Sequence, residues 1–200
     1  MLSPRHLPNA LTVARMFLVA PLVYLLLTER YSAALVLAIV SGVSDWLDGA
    51  LARRFDWQTK FGGILDPLAD KTLMIAVYAT LAWIGHLPAW LFWLVVVRDL
   101  VIVTGGTVYH YVFEPFRAEP TRLSKFNTLC QILLMWAVLT ALAGLALPKF
   151  LVPALIWLVA FTLLATMVQY VLLWSLRARA IGIRKHSRNV KRNTTGKRSP

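Results

Sequence analysis

Long apolar runs repeat along almost the whole chain, and this feature restricts its possible folds most strongly. Each run is close to the roughly 20 residues with which an α-helix crosses a bilayer. The composition agrees, because 58% of the residues are hydrophobic and only 15% are charged, against about a half and about a quarter in soluble domains. We therefore predict an all-α integral membrane protein with six transmembrane helices. Their approximate limits are 10–27, 33–54, 63–85, 89–112, 124–146 and 150–176.

The lysines and arginines predict how these helices are oriented. Basic residues collect on the cytoplasmic side of membrane proteins, and a cytoplasmic N-terminus leaves only Arg30 and Lys149 in connections on the opposite side. We expect both termini to be cytoplasmic, with a transmembrane domain over 1–178. Segment 179–200 has basic but no acidic residues, which predicts a disordered cytoplasmic tail. No organelle-targeting sequence is evident, which favours the bacterial inner membrane.

Four aspartates flank the connection between the second and third predicted helices. Asp45 and Asp48 are three positions apart and share one helical face. Asp66 and Asp70 are four positions apart and share another. Two antiparallel helices with a short turn can point these faces at each other, which would bring the carboxylates together just below the cytoplasmic surface. Ionised side chains inside a membrane are costly and usually mark a function.

Divalent cations would neutralise such a cluster. An oxygen-only ligand set suits Mg²⁺, Mn²⁺ or Ca²⁺ rather than zinc, and a pair of such ions commonly promotes displacement at phosphorus. Gly49 and Gly62 would let a phosphate approach the backbone closely, and Arg53 would face a diphosphate. The alternative is a structural carboxylate network with Arg53 and Arg54, which cannot balance all the aspartates. A divalent-cation transporter would instead hold its ions near the membrane midplane.

Residues 45–70, DWLDGALARRFDWQTKFGGILDPLAD, resemble the signature of the CDP-alcohol phosphotransferase family, D-x2-D-G-x2-A-R-x8-G-x3-D-x3-D. The resemblance implies that a CDP-linked lipid binds through its diphosphate to a pair of divalent ions, Mg²⁺ or Mn²⁺. An alcohol would then attack the phosphorus that bears the lipid, and CMP would leave. The resemblance also implies a homodimer. The matching positions are Asp45, Asp48, Gly49, Ala52, Arg53, Gly62, Asp66 and Asp70.

The same resemblance implies a role for each matching residue. Asp70 would bind metal and act as the catalytic base on the acceptor hydroxyl, and its presence argues against a lipid-binding scaffold that has lost catalysis. The other metal ligands would be Asp45, Asp48 and Asp66. The residues that line the CDP-lipid site would be Gly49, Ala52, Arg53 and Gly62.

Near the N-terminus, a second pattern points to the CDP-lipid. Asn9, Thr12 and Arg15 are spaced by three residues and resemble the N-x2-T-x2-R of family members that make phosphatidylglycerol-type lipids. There they would help to hold the liponucleotide head group. The alternative is helix capping by Asn9 with a snorkelling Arg15.

The fourth and fifth predicted helices contain candidate residues for the acceptor alcohol. Arg98 and Asp99 stand between apolar runs, and SKFNTLCQ at 124–131 resembles the cardiolipin synthase branch, whereas phosphatidylglycerophosphate synthases usually carry G-K-x-K-T there. Arg98 and Lys125 would hold the acceptor phosphate, and Asn127 would contact a glycerol hydroxyl. The alternatives are a structural pair for Arg98 and anchoring at the cytoplasmic surface for Lys125.

Together these patterns predict an enzyme embedded in the membrane, with its active site facing the cytoplasm. It would transfer phosphatidyl from CDP-diacylglycerol to the acceptor lipid phosphatidylglycerol and release cardiolipin and CMP. A phosphatidylglycerophosphate synthase, with glycerol-3-phosphate as acceptor, is the alternative within the family. No nucleic-acid partner is expected, because a basic tail on a membrane protein more simply contacts anionic head groups.

Overall fold

The computed structural model describes residues 7–54, 62–112 and 121–195, with side chains for 16–44, 71–107, 121–173, 175 and 176. These ranges are all-helical, with six helices and no strand. The prediction of an all-α chain is therefore confirmed for the described part. The helices are α1 Leu7–Leu27, α2 Tyr31–Arg54, α3 Gly62–Trp83, α4 Ala89–Val112, α5 Arg122–Leu142 and α6 Leu151–Thr195.

Apolar composition accounts for most of these helices. Three stretches are long and apolar enough to cross a membrane: Ala89–Thr107, Arg122–Leu142 and Leu151–Leu173. In the first three helices, the residues whose side chains are described form shorter apolar stretches. Those shorter stretches are Met16–Leu27, Tyr31–Ser44 and Lys71–Trp83. This is the composition of a membrane protein.

The end of α6 differs from the sequence-based expectation. We expected a disordered tail over 179–200, whereas α6 continues as a helix to Thr195. Arginine, lysine and alanine are good helix formers, and the stretch from Arg177 to Thr195 has no proline and only Gly182 as a glycine. The sequence pattern therefore correctly marked where the apolar part ends but not where the helix ends. The division into a domain over 1–178 and a separate tail over 179–200 stays a prediction.

Glycines in left-handed conformation end two of the helices. After α3, Gly85 has φ 81°, and the amide of His86 donates to the carbonyl of Leu81 at 2.8 Å. After α5, Gly144 has φ 80°, and the amide of Leu145 donates to the carbonyl of Thr140 at 3.2 Å. These bonds satisfy carbonyls that a helix end leaves without intrahelical partners, as in a Schellman motif.

The chain divides into two compact units, of which unit 1 comprises Met1–Trp93 and Leu129–Val159. Within it α1 packs against both α2 and α3. Tyr78 is buried and donates a hydrogen bond from its hydroxyl to the carbonyl of Gln131 at 2.9 Å. The rest of the core is almost entirely aliphatic. Its fully buried side chains include Leu22, Leu26, Val77, Leu81, Leu91, Leu134, Leu139 and Val159.

Unit 2 comprises Leu94–Thr128 and Ala160–Pro200, and so contains parts of α4, α5 and α6. Thr121 caps the start of α5, because its hydroxyl accepts a hydrogen bond from the amide of Ser124 at 3.2 Å. The same hydroxyl donates to Oε1 of Gln169 in α6 at 2.9 Å. A single threonine therefore both begins α5 and connects it to α6.

Candidate functional site

The predicted catalytic aspartates lie on helical backbone at the end of α2 and the start of α3. Asp48 lies six residues before the last residue of α2, Arg54, and Asp66 four residues after the first residue of α3, Gly62. At 1.5 Å per residue these positions are about 9 Å and about 6 Å from the helix ends. Asp45 and Asp70 lie about one turn further from those ends. Because both segments are helical, each aspartate pair shares one helical face.

The side chains of these aspartates lie outside the described set, so their predicted roles stay predictions. The same holds for the residues predicted to bind the CDP-lipid. The helices that carry them are described, and α1 contacts both α2 and α3 within unit 1. The backbone therefore places the helix with the N-x2-T-x2-R pattern beside both aspartate-bearing helices. The predicted CDP-lipid residues are Asn9, Thr12, Arg15, Gly49, Ala52, Arg53 and Gly62.

The donor set on α2 and α3 fits a hard divalent cation. Its predicted ligands are carboxylates alone, and oxygen-only sites favour Mg²⁺, Mn²⁺ or Ca²⁺. Among the residues whose side chains are described, no group of three or more His, Cys, Asp or Glu occurs. The aspartates Asp45, Asp48, Asp66 and Asp70 are not in that set.

Unit 2 has a charged network at its centre. Arg98 is 5% exposed, and Nη1 of its guanidinium lies 2.7 Å from Oδ1 of Asp99. Its Nη2 donates to Oγ of Ser124 in α5 at 2.7 Å, and its Nε donates to Oγ1 of Thr166 in α6 at 3.3 Å. One buried side chain therefore connects the segments of α4, α5 and α6 that belong to unit 2.

This network compensates the charge of Arg98. Breaking such a pair by removing one partner is strongly destabilising, because it leaves the other charge buried without compensation. Asp99 supplies the opposite charge, and the hydroxyls of Ser124 and Thr166 accept further N–H groups. These contacts use three of the five N–H donors of a guanidinium. In the described part of the chain, these contacts leave Arg98 two further N–H groups, and Asp99 balances its charge.

Asn127 lies one helical turn from Ser124 and is fully buried, with 0% exposure. Its Oδ1 accepts a hydrogen bond from Oγ1 of Thr162 at 2.9 Å. Its Nδ2 is buried and has no hydrogen-bond partner in the described part of the chain, a property that it shares there with Oγ of Ser41. An unpaired buried donor costs about 1–3 kcal/mol. In native proteins such a group calls for an explanation, and a ligand is one.

The structure separates the three residues predicted to bind the acceptor. Arg98 and Asn127 are both buried, and their partners Thr166 and Thr162 are four residues apart on α6. Lys125 is exposed, as expected for a residue two positions from Asn127 on a helix. Arg98 and Asn127 therefore belong to adjacent turns of one polar cluster, and Lys125 faces away from it. The binding roles of all three stay predictions.

Sequence reasoning missed most of the hydroxyl residues that hold this cluster together. Ser124 was noted only as part of the run SKFNTLCQ, without a role of its own, and Thr162 and Thr166 were not singled out. A signal was present, because Ser124 and Asn127 are three apart and Thr162 and Thr166 four apart within apolar runs. Polar side chains at helical spacing in such runs mark a shared interior face.

Comparison with known proteins identifies a family. The model of the family CDP-alcohol phosphatidyltransferase matches residues 5–168. A cardiolipin synthase (CMP-forming) of Homo sapiens is 32% identical over 155 residues, which cover 70% of this chain and 52% of that protein. A CDP-diacylglycerol--glycerol-3-phosphate 3-phosphatidyltransferase of Bacillus subtilis is 30% identical over 149 residues, which cover 67% of this chain and 76% of that protein. The relatives therefore carry both names.

One solved structure shows the same fold. It is the crystal structure of a phosphatidylinositol phosphate synthase of Mycobacterium tuberculosis with CDP-DAG bound. The likeness has a TM-score of 0.58 at 20% identity and covers 82% of this chain and 84% of that one. Several relatives are longer proteins. A probable cardiolipin synthase (CMP-forming) of Drosophila melanogaster is 35% identical over 142 residues. This match covers 63% of this chain but 44% of that protein. The chain thus spans about half the length of such relatives.

Proposed function

Because this chain belongs to the CDP-alcohol phosphatidyltransferase family, we propose that it transfers phosphatidyl from CDP-diacylglycerol to phosphatidylglycerol, giving cardiolipin and CMP. The choice of acceptor rests on Asn127. This residue is neutral, whereas an enzyme that uses glycerol-3-phosphate would be expected to have a second lysine at this position. Its buried amide keeps an unpaired donor. Relatives named cardiolipin synthase support the proposal.

The reaction replaces one phosphorus–oxygen bond with another. The acceptor hydroxyl oxygen attacks the phosphorus that bears diacylglycerol, and the bond from that phosphorus to CMP breaks. Asp70 is the base that we propose takes the proton of this hydroxyl. When bound to Asp45, Asp48, Asp66 and Asp70, Mg²⁺ or Mn²⁺ neutralises the diphosphate and stabilises the leaving CMP. The residues that hold the CDP-lipid are Asn9, Thr12, Arg15, Gly49, Ala52, Arg53 and Gly62.

The acceptor is held by Arg98 and Asn127, whereas Lys125, which the sequence also predicted to bind it, is exposed and faces away from these two residues. Phosphatidylglycerol carries one negative charge on its phosphodiester, whereas the phosphomonoester of glycerol-3-phosphate carries nearly two. Arg98 is already paired with Asp99 at 2.7 Å, so it offers donors with little surplus positive charge. That arrangement matches the phosphodiester better. Asn127 donates to a glycerol oxygen of the same lipid.

In the membrane, all six helices cross the bilayer, and both termini and the active site face the cytoplasm. The helix bounds and the distribution of basic residues support this arrangement. The enzyme acts as a homodimer in a bacterial inner membrane. Cysteine accessibility on either side of the membrane, measured at Arg30→Cys and Arg54→Cys, tests the orientation.

A phosphatidylglycerophosphate synthase is the second candidate. It is favoured by relatives that bear that activity in their names, one of which is matched over 76% of its length. This candidate uses the same metal ligands and the same base, and differs only in the acceptor. The divalent-cation transporter loses support, because the family match covers residues 5–168.

The acceptor is tested by measuring CMP release from the purified protein in detergent, with CDP-diacylglycerol and Mg²⁺. We expect turnover with phosphatidylglycerol and none with glycerol-3-phosphate. The variant Asn127→Lys restores a second lysine and is expected to gain activity with glycerol-3-phosphate. Turnover of the wild type with glycerol-3-phosphate alone would replace our assignment with the second candidate. If CMP is released neither with phosphatidylglycerol nor with glycerol-3-phosphate, both candidate functions are contradicted.

A further inference from the structure

The hydrogen bond between Thr162 and Asn127 occupies the oxygen end of a side-chain amide. A carboxamide has an acceptor end and a donor end, and a flip exchanges them. Thr162 is 2% exposed and Asn127 is 0% exposed. Oγ1 of Thr162 lies 2.9 Å from Oδ1 of Asn127. Because an amide oxygen can only accept, Thr162 is the donor, and the contact leaves Nδ2 as the end without a partner.

The hydrogen bonds of Thr166, one turn further along α6, support the same assignment of donors and acceptors. Thr166 accepts from Nε of Arg98 at 3.3 Å and donates to the carbonyl of Leu163 at 2.8 Å. In the described part of the chain, Oδ1 of Asn127 and the hydroxyl of Thr166 both accept hydrogen bonds, and Nδ2 of Asn127 has no partner. Arg98 and Asn127 can still donate hydrogen bonds. A ligand group with several oxygen acceptors therefore fits them.

We propose that Thr162 is a positioning residue that sets acceptor specificity by holding Asn127 with its amide N–H₂ group available to the acceptor lipid. The ligand atom is an oxygen of the phosphodiester or of the glycerol. If Asn127 were flipped, its carbonyl would meet that oxygen, and two acceptors would face each other. The identity of the acceptor rests on the proposed function, but the link between Thr162 and Asn127 does not.

The test is a double-mutant cycle on Thr162→Val, which keeps the shape and removes the hydroxyl, and Asn127→Ala. For each variant, kcat and the KM values for acceptor and CDP-diacylglycerol are measured. We expect Thr162→Val to raise the acceptor KM about fivefold, as for one lost hydrogen bond, with the KM for CDP-diacylglycerol unchanged. Thr162→Ser, which keeps the donor, should restore the wild-type KM. The double variant should match Asn127→Ala alone.

A matched control is Thr104→Val on α4, whose exposed hydroxyl bonds, among the described residues, to carbonyls of its own helix. It should change neither KM. An acceptor KM unchanged by Thr162→Val, or an effect that adds fully to that of Asn127→Ala, would overturn the proposal. So would an equal rise in both KM values. If the valine variant does not fold, Thr162→Ala takes its place in the cycle.

The cycle uses whichever acceptor the wild type consumes. Turnover with glycerol-3-phosphate instead of phosphatidylglycerol would therefore overturn the proposed function, and the coupling between Thr162 and Asn127 would be measured on that substrate. Normal turnover of phosphatidylglycerol without coupling would overturn the positioning role and leave the proposed function standing.

Discussion

The two units bury different kinds of side chains. In unit 1 the buried residues are overwhelmingly aliphatic, and the polar exceptions in the described part are Ser41, Thr80 and Gln131. In unit 2, buried polar residues outnumber apolar ones among the described side chains. The polar residues are Arg98, Ser124, Asn127, Thr162 and Thr166, beside Val95, Ala160, Leu163 and Tyr170.

This difference separates two tasks. Inside a membrane, apolar helices gain little from leaving the lipid, so close packing and shape hold them together. Unit 1 depends on such packing and carries the helices of the predicted metal site. Unit 2 depends on hydrogen bonds with fixed donors and acceptors and carries the predicted acceptor residues. We therefore expect chemistry to be sensitive to changes in unit 1, and acceptor choice to be sensitive to changes in unit 2.

The largest expected effect is on catalysis at the aspartates of unit 1. Asp70→Asn should lower kcat for CMP release by about 10³-fold, the range of a lost general base, without a change in the thermal midpoint. Asp56→Asn, a neighbouring carboxylate outside the signature, is the control and should keep wild-type turnover. Substantial activity in the Asp70 variant would remove it from the role of base.

The next largest effect is on the stability of unit 2. Arg98→Met should lower the free energy of unfolding by about 3 kcal/mol, because the carboxylate of Asp99, whose side chain is 19% exposed, loses its ion pair with Arg98. Removing both charges in Arg98→Met/Asp99→Asn should recover part of that loss. Denaturation in detergent measures both variants. A double variant less stable than the single one would show that charge compensation is not what stabilises this cluster.

In unit 1 we expect stability to depend on the volume of buried side chains rather than on their polarity. Leu81 is fully buried, so Leu81→Ala should cost about 2–3 kcal/mol through the cavity that it leaves. Leu81→Met should cost less than about 1.5 kcal/mol. Equal losses for the two variants would contradict packing as the source of stability in this unit.

A smaller effect should distinguish unit 2 from unit 1. Thr166→Val keeps the shape but removes the acceptor for Nε of Arg98, and should cost about 1 kcal/mol. The matched change in unit 1, Thr80→Val, removes a bond to the carbonyl of Ala76 in the same helix, the one side-chain bond of Thr80 within the described part of the chain. If the Thr80 variant loses as much stability as the Thr166 variant, the contrast between the units fails.

The smallest effect is expected where unit 1 has a polar contact at its surface. The hydroxyl of Tyr31 lies 3.0 Å from Nε2 of His86, and the contact is exposed. Tyr31→Phe should therefore change the unfolding free energy by less than about 0.5 kcal/mol. A change of several times that size would mean that this surface contact contributes to stability.

The sequence predicted the helices better than the contacts between them. Apart from the end of α6, helix limits agree with the apolar runs to within four residues, the largest difference being at the end of α5, 142 against 146. Hydrophobicity predicts where a chain crosses lipid. It does not predict a polar helical extension such as the one that reaches Thr195.

The candidate site was predictable to the extent that it depends on spacing within one helix. The backbone of α2 and α3 is helical at the four aspartates, as their spacing requires, and their roles in the site stay predictions. The hydroxyl partners of Arg98 and Asn127 come from other helices, and their identity depends on how those helices pack. The different exposure of Lys125 and Asn127 follows from helical geometry alone and could have been predicted.

The most direct test of the central claim follows acyl chains from substrate to product. CDP-diacylglycerol with one pair of chains and phosphatidylglycerol with a distinguishable pair are incubated with the enzyme and Mg²⁺, and the lipid product is analysed by mass spectrometry. The account predicts a cardiolipin that carries both pairs of chains, formed in step with CMP. Unconsumed phosphatidylglycerol, with phosphatidylglycerophosphate formed only when glycerol-3-phosphate is supplied, would contradict it.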